Sequence, residues 1–203
     1  MTDWSDLLRR EIDLASAGLE ATAVDGLEKY LVLLSRWTKT TNLVAATTSP
    51  LELVVHHVAD CLALLPHLGD AHRIVDVGSG GGLPGAVLAL VRPTVLVTAL
   101  EPVHKKHAFL AHLRRDLALD NFTPLPERDE QHRARPDFSP YDLAVSRAAF
   151  PMAEWLSRAP HLVRPGGRIL AMEGRERHPL PPTATRHPYH LATRARAIIE
   201  MPR

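Results

Sequence analysis

Cysteine is almost absent from this 203-residue chain: Cys61 stands alone, which excludes an internal disulfide and fits a reducing compartment. Long apolar runs are missing as well. The longest, around Leu83–Val91 and Val95–Leu100, are separated by Arg92 and Pro93. They fall short of the roughly 18 unbroken apolar residues that a membrane helix needs. The N-terminal stretch as far as Leu14 is acidic and amphipathic, without the basic start and apolar centre of a secretion signal. These absences point to a cytoplasmic protein that makes no use of a membrane. Net charge is also low, at +1, but it is unevenly spread. Residues 1–30 set Arg9, Arg10 and Lys29 against seven acids, whereas residues 164–203 hold eight arginines against Glu173, Glu176 and Glu200. A basic end can meet phosphates or simply be solvated, so charge alone leaves contact with nucleic acid open.

What is present suits one α/β domain over residues 1–203, with 45% hydrophobic and 23% charged residues. Residues 1–70 read as a helical cap. Leu27, Tyr30, Leu31, Leu34 and Trp37 recur at three and four residues, the spacing of one buried helix face. Ser49-Pro50 reads as an N-cap with proline at the first helical position, opening a helix lined by Leu51, Val54, Val55, Val58, Leu62 and Leu65. From residue 71 strands and helices alternate: strand Arg73–Val77, helix Pro84–Val91, strand Thr94–Glu101, helix His104–Leu119 and strand Phe122–Leu125. Strand Tyr141–Ser146, helix Pro151–Leu162, the turn Arg164–Gly167 and strand Arg168–Glu173 follow. Such alternation predicts a mostly parallel sheet with helices on both faces, the doubly wound Rossmann-like class. In the basic tail only Arg196–Met201 reads as a strand, at a sheet edge and without an identifiable partner.

The first strand runs into Asp76-Val-Gly78-Ser-Gly80-Gly-Gly82-Leu83-Pro-Gly85, beyond the strand's carboxyl end, where doubly wound sheets bind ligands. The helix that follows would turn its free N–H groups toward a cofactor. Two cofactors compete. Gly80-x-Gly82-x-x-Gly85 satisfies the dinucleotide fingerprint, a weak pattern by itself. Asp76, two residues before Gly78, favours S-adenosylmethionine, whose amino group is cationic, and would repel the phosphates of a dinucleotide. Glu101, closing the second strand, suits ribose hydroxyls in either case.

The chain resembles the RsmG (GidB) family of 16S ribosomal RNA guanine-N7 methyltransferases over about Leu33 to Gly174. Trp37-Thr-Lys-Thr-Thr-Asn42-Leu43 is similar to the family's W-N-K-x-x-N-L, and His57-Val-Ala-Asp60-Cys-Leu62 to its R-H-x-x-D-S-L. Asp76–Gly85 matches D-V-G-[ST]-G-x-G-L-P-G, and Val145-Ser146-Arg147-Ala148 matches V-S-R-A. The resemblance implies a class I methyltransferase fold, S-adenosylmethionine as donor, and 16S ribosomal RNA or the small ribosomal subunit as partner. Carried over by position, it places Gly78 and Leu83 at the methionine part of the donor, Glu101 at the ribose, and Asp129 and Glu130 near the adenine. Gly80 and Gly82 complete the loop. Arg147 would touch the donor and orient the guanine through its O6 and N7 acceptors, and it is the catalytic candidate. N7 has a lone pair and no proton, so the expected work of the protein is positioning rather than proton removal.

Two departures stand out. Met172-Glu173-Gly174 replaces the family's M-K-G, exchanging a lysine for a carboxylate, and the strand before Ala195–Glu200 is nearly missing. Both keep other readings open: methyl transfer to another RNA or a small molecule, or donor binding without catalysis. Asn42, His57 and Asp60 read more readily as ties between cap and core than as substrate contacts. The twelve histidines lack a cysteine or carboxylate at ligand spacing, so no metal is expected. Lys105 and Lys106 read as a solvated face, and the protein is expected to be a monomer.

Overall fold

The computed structural model describes residues 2–13 and 17–203. At its centre is a seven-stranded sheet in the order β3-β2-β1-β4-β5-β7-β6. The strands are β1 (Arg73–Val77), β2 (Leu96–Leu100), β3 (Phe122–Leu125), β4 (Tyr141–Arg147), β5 (Val163–Glu173), β6 (Thr185–Leu191) and β7 (Arg194–Pro202). Strands β1 to β5 run parallel, while β7 pairs antiparallel with β5 and with β6. The order reverses between β1 and β4, next to the glycine loop, as the α/β alternation predicts.

Period-two side-chain direction divides the core between the two faces. Ile74, Val97, Val145 and Ile198 join the cluster beneath α1 (Trp4–Glu11), α2 (Ala21–Thr38), α5 (Gly85–Val91) and α6 (His104–Asp116). Their neighbours Val75, Val77, Ala144 and Ile199 join the opposite cluster, around Trp155 and Leu156 of α8 (Met152–Arg158). The helical N-terminal segment therefore shares one continuous core with the sheet. In α2, Leu27, Tyr30, Leu31 and Leu34 are fully buried, each large apolar side chain contributing about 1.5–3 kcal/mol. Among the described residues no helix is long and apolar enough to cross a membrane.

The second cap helix is less regular than its spacing predicts. Ser49 and Glu52 form a reciprocal capping box, opening the short α3 (Pro50–Glu52). The chain then widens into a π-helix, Leu53–Val58, and returns to α-helix in α4 (Ala59–Leu62). That widening rotates the face: Leu51, expected inside, is 48% exposed, while Leu53 joins Val54 and Val58 in the core.

The tail differs most from its sequence reading. Seven residues, Thr185–Leu191, form β6, paired over its whole length with β7. None of the seven is buried, and the segment carries Pro188, so no alternating pattern betrays it. Strand β5 also begins earlier than expected, at Val163, and absorbs the turn Arg164–Gly167. The outer strands of the sheet are β3, with Pro124 in it, and β6, with Pro188.

Candidate active site

A cleft of about 500 Å³ opens at the carboxyl ends of β1, β2 and β4. This lies within the roughly 300–1,000 Å³ range of small-molecule sites. Its floor is the glycine loop. Gly78 adopts φ +77°, and a Cβ there would lie 2.3 Å from the Cβ of Ala149, so the turn out of β1 requires glycine. The N–H groups of Gly78 and Ser79 donate to the Leu100 carbonyl at 2.9 and 3.3 Å, tying the loop to β2. From the cap side, the buried Tyr30 hydroxyl donates to the Gly81 carbonyl at 2.8 Å.

Gly78, Gly80, Leu83, Glu101, Asp129 and Arg147, all named from the sequence, line this cleft. Asp76, Gly82 and Glu130 do not. Asp76 lies fully buried below the loop, where Oδ2 accepts the Gly85 N–H at 2.9 Å and so caps the start of α5. Burial raises its carboxyl to about 6 against the hydrogen bond from Gly85; Oδ1 has no hydrogen-bond partner, and the Ser79 hydroxyl donates instead to the Asp76 backbone carbonyl at 3.1 Å. Gly82, at φ +83°, packs against Ala86 and Leu110. Glu130, on the exposed side of α7 (Asp129–Arg133), pairs with Arg158.

Glu101 is 4% exposed. One oxygen accepts the Gly80 N–H and the other the Val103 N–H, each at 2.9 Å. An ionised carboxylate offers about four acceptor positions, so two remain for hydroxyl donors in the cleft. The donor set fits a nucleoside ligand. Asp129 is clamped by Arg158, whose Nε lies 3.2 Å from Oδ2 and whose Nη2 meets Oδ1. Sequence reasoning missed Arg158 and Phe150, both in the cleft wall. The Arg158 guanidinium sits 5.0 Å from the centroid of the Phe150 ring, which stacks on Trp155 at 5.9 Å. A partner 29 residues away leaves no local pattern, and an isolated Phe after the V-S-R-A motif carries little signal. Lys106 also lines the cleft rather than joining the solvated face expected of it.

Arg147 ends β4 and reaches across to the cap. Its Nε lies 3.1 Å from Asp60 Oδ2, and Nη2 donates to the His56 carbonyl at 3.1 Å and to His57 Nδ1 at 3.0 Å. The π-helical turn presents both histidines to the guanidinium, a use of the π-bulge common at functional sites. Burial, then the neighbouring Arg147 and His56, lower His57 to about 4, so the ring is neutral and free to accept. Asp60, 1% exposed, takes a further hydrogen bond from the Tyr189 hydroxyl of β6 at 2.7 Å. Immediately after Arg147, Ala148 holds φ +57°, a conformation that L residues rarely adopt outside functional turns.

Glu173 does not present a negative charge to the surroundings. Its side chain is fully buried beneath Arg177 and Arg186. It accepts from Arg186 at 2.8 and 3.1 Å, from Arg177 at 3.0 Å and from the His178 N–H at 2.9 Å. Burial pushes the carboxyl up, but these donors outweigh it and hold it at about 2. One carboxylate beneath two guanidiniums leaves the patch positive, so the charge reversal expected from the sequence does not arise.

Comparison with known proteins agrees with the geometry. Residues 23–180 match the family described as rRNA small subunit methyltransferase G (GidB). A protein named "Ribosomal RNA small subunit methyltransferase G" from Burkholderia ambifaria is 39% identical over 176 residues, covering 83% of this chain and 77% of its own length. One of the same name from Aromatoleum aromaticum is 39% identical over 170 residues, covering 81% and 79%. Among solved structures, a SAM dependent methyltransferase from Aquifex aeolicus superposes with a TM-score of 0.57 at 15% identity, covering 83% of this chain and 97% of its own, a likeness of fold.

Proposed function

The chain belongs to the rRNA small subunit methyltransferase G family, and from that premise we propose that its cleft binds S-adenosylmethionine and directs the methyl group to N7 of a guanine in 16S ribosomal RNA. The donor supplies an electrophilic methyl carried on a sulfonium. Gly78, Gly80 and Leu83 form the floor on which it lies, and Glu101 accepts hydrogen bonds from its ribose. Asp129, held by Arg158, borders the adenine end, with Glu130 beside it on the same arginine. Gly82 shapes the loop, and Asp76 fixes the loop and α5 from below while adding a negative charge under a cationic ligand.

The observation that carries the reading is the state of the polar groups lining the cleft. Glu101 is held by two backbone N–H groups and turns its remaining acceptor positions to the ribose hydroxyls, Asp129 is held by Arg158, and neutral His57 by Arg147. None is poised to remove a proton, which suits a nucleophile that has none to lose. What remains is placement, worth roughly 7–11 kcal/mol of barrier when reactants are well oriented. Arg147, fixed at the cleft by three cap groups, can hold the guanine by its O6 acceptor and leave the N7 lone pair open to the methyl group. The base must leave its stack to reach this depth. Lys106 and Arg128 at the cleft are placed to receive RNA phosphates.

Labelled S-adenosylmethionine, offered with small subunits and ribosomal RNA from cells lacking the endogenous enzyme, tests this directly. A single labelled guanine N7 is the expected product. Donor binding with no label in the RNA would overturn the substrate assignment and leave the donor site standing.

A further inference from the structure

Three side chains of metal-ligating type converge outside the cleft. His67 ends the 3-10 turn Leu65–His67, His187 lies in β6, and Glu200 lies in β7. None lines the cleft. One donor atom from each falls within 4.8 Å of the others. Glu200 Oε2 stands 3.4 Å from His67 Nδ1 and 3.2 Å from His187 Nε2. Zinc binds imidazole nitrogen and carboxylate oxygen at about 2.0–2.2 Å, and a tetrahedron with such bonds has edges of about 3.3–3.6 Å. Two of the three edges thus already lie close to the length a tetrahedral site requires.

The His187 lone pair is also available. His187 Nε2 is buried and has no hydrogen-bond partner. The two imidazoles lie with centroids 4.6 Å apart and are tilted by 54°, so neither ring blocks the other. Arg168 fixes the carboxylate from behind: Nη1 meets Glu200 Oε1 at 3.1 Å, and Nη2 donates to the Leu68 carbonyl at 2.6 Å. The guanidinium takes one carboxylate oxygen and leaves the other facing the histidines. Such an outer partner orients a ligand as metal sites commonly require.

We propose that His67, His187 and Glu200 bind a zinc ion, with water at the fourth position. Two imidazoles select a borderline transition metal over magnesium or calcium, which prefer all-oxygen shells. The site joins the end of the N-terminal helical segment to the β6–β7 hairpin. It lies two residues along β6 from Tyr189, whose hydroxyl supports Asp60 and through it Arg147. Metal binding therefore tightens the hairpin on which the placement of Arg147 depends. The ligands are separated by 120 and 13 residues in the chain, which is why their spacing carries no metal signature.

Tag-free protein stripped with a chelator and titrated with zinc chloride in a calorimeter tests the site. One equivalent of zinc should bind and raise the melting temperature by several degrees. His67→Gln and His187→Gln should each weaken binding at least tenfold, while His104→Gln, on the exposed side of α6, should leave it unchanged. Cobalt(II) in the wild-type chain should give the intense visible bands of four-coordination, a readout that needs no variant. Absence of binding at about a hundred micromolar zinc, undiminished binding in both glutamine variants, or weak six-coordinate cobalt bands would each overturn the assignment.

Discussion

Arg147 and Asp60 meet across the seam between sheet and cap, Nε to Oδ2 at 3.1 Å, with the Asp60 side chain 2% exposed. One oxygen of that carboxylate faces the guanidinium and the other takes the Tyr189 hydroxyl. The cleft arginine is thus positioned by residues from the N-terminal helices and from the last hairpin, not by its own strand.

Replacing Arg147 by lysine keeps the charge but loses the planar fork that reaches Asp60, His56 and His57 together. Turnover should fall by about tenfold or more, with donor affinity little changed, because a compact ammonium cannot reproduce a multidentate contact. Single-turnover methylation set beside donor titration separates the two effects; equal losses in both would contradict a role in placing the base.

Tyr189→Phe removes one hydrogen bond to a buried carboxylate and should destabilise the fold by about 1–3 kcal/mol. Asp60→Ala should be worse, about 3–5 kcal/mol, since it leaves Arg147 partly buried without its counter-charge. Urea unfolding measures both. The same order should hold for turnover, and a Tyr189→Phe enzyme with wild-type rate would show that the hairpin does not influence Arg147.

Restoring the family's lysine at position 173 should harm this protein. A cation there would face Arg177, Arg186 and the His178 N–H with no acceptor among them. Glu173→Lys is expected to expose the tail to limited proteolysis, and Glu173→Gln to lose about 2–4 kcal/mol of stability. The carboxyl is held at about 2, below its unfolded value of 4.5, so its stabilising effect is complete above pH 4.5 and disappears as pH falls through 2.

His57 and Asp76 pull the pH dependence of stability in opposite directions. The His57 ring is held at about 4 against 6.5 when unfolded, so acidification from 6.5 to 4 favours the unfolded chain by up to about 3 kcal/mol. Asp76, at about 6 against 3.8, takes up its proton in the folded state first, and stability from it rises as pH falls from 6 to 3.8. The wild-type curve should be nearly flat between pH 4 and 6.5, whereas His57→Gln should gain stability on acidification. Denaturant melts at half-unit pH intervals decide this, and parallel curves would refute it.

Wherever one side chain pattern repeats along one element, the sequence was legible. The buried face of α2, the Ser49 cap and the five parallel strands follow from periodicity and punctuation, and the loop 78–83 follows from glycines that a turn demands. Contacts between distant elements were not. Nothing near Glu173 announces Arg186, nothing near Asp129 announces Arg158, and the polar, proline-bearing β6 gains its order only from β7. Asp76 was read as a ligand contact from its charge and motif, yet its partner is the Gly85 N–H, nine residues on within the same loop. The π-helical turn that brings His56 and His57 to Arg147 likewise has no sequence signature of its own.

The two prolines in the outermost strands bear on self-association. Val97 and Glu101 of the β2 segment donate to the carbonyls of Asn121 and Leu125. The odd-numbered residues therefore face inward, and Pro124 sits where an outward N–H would otherwise be offered. Pro188 removes a donor from β6 at the other margin. A neighbouring chain seeking to add a strand finds an interrupted ladder on both sides, a device that keeps sheet edges from joining. Polymerisation through the sheet is thereby disfavoured at both of its margins.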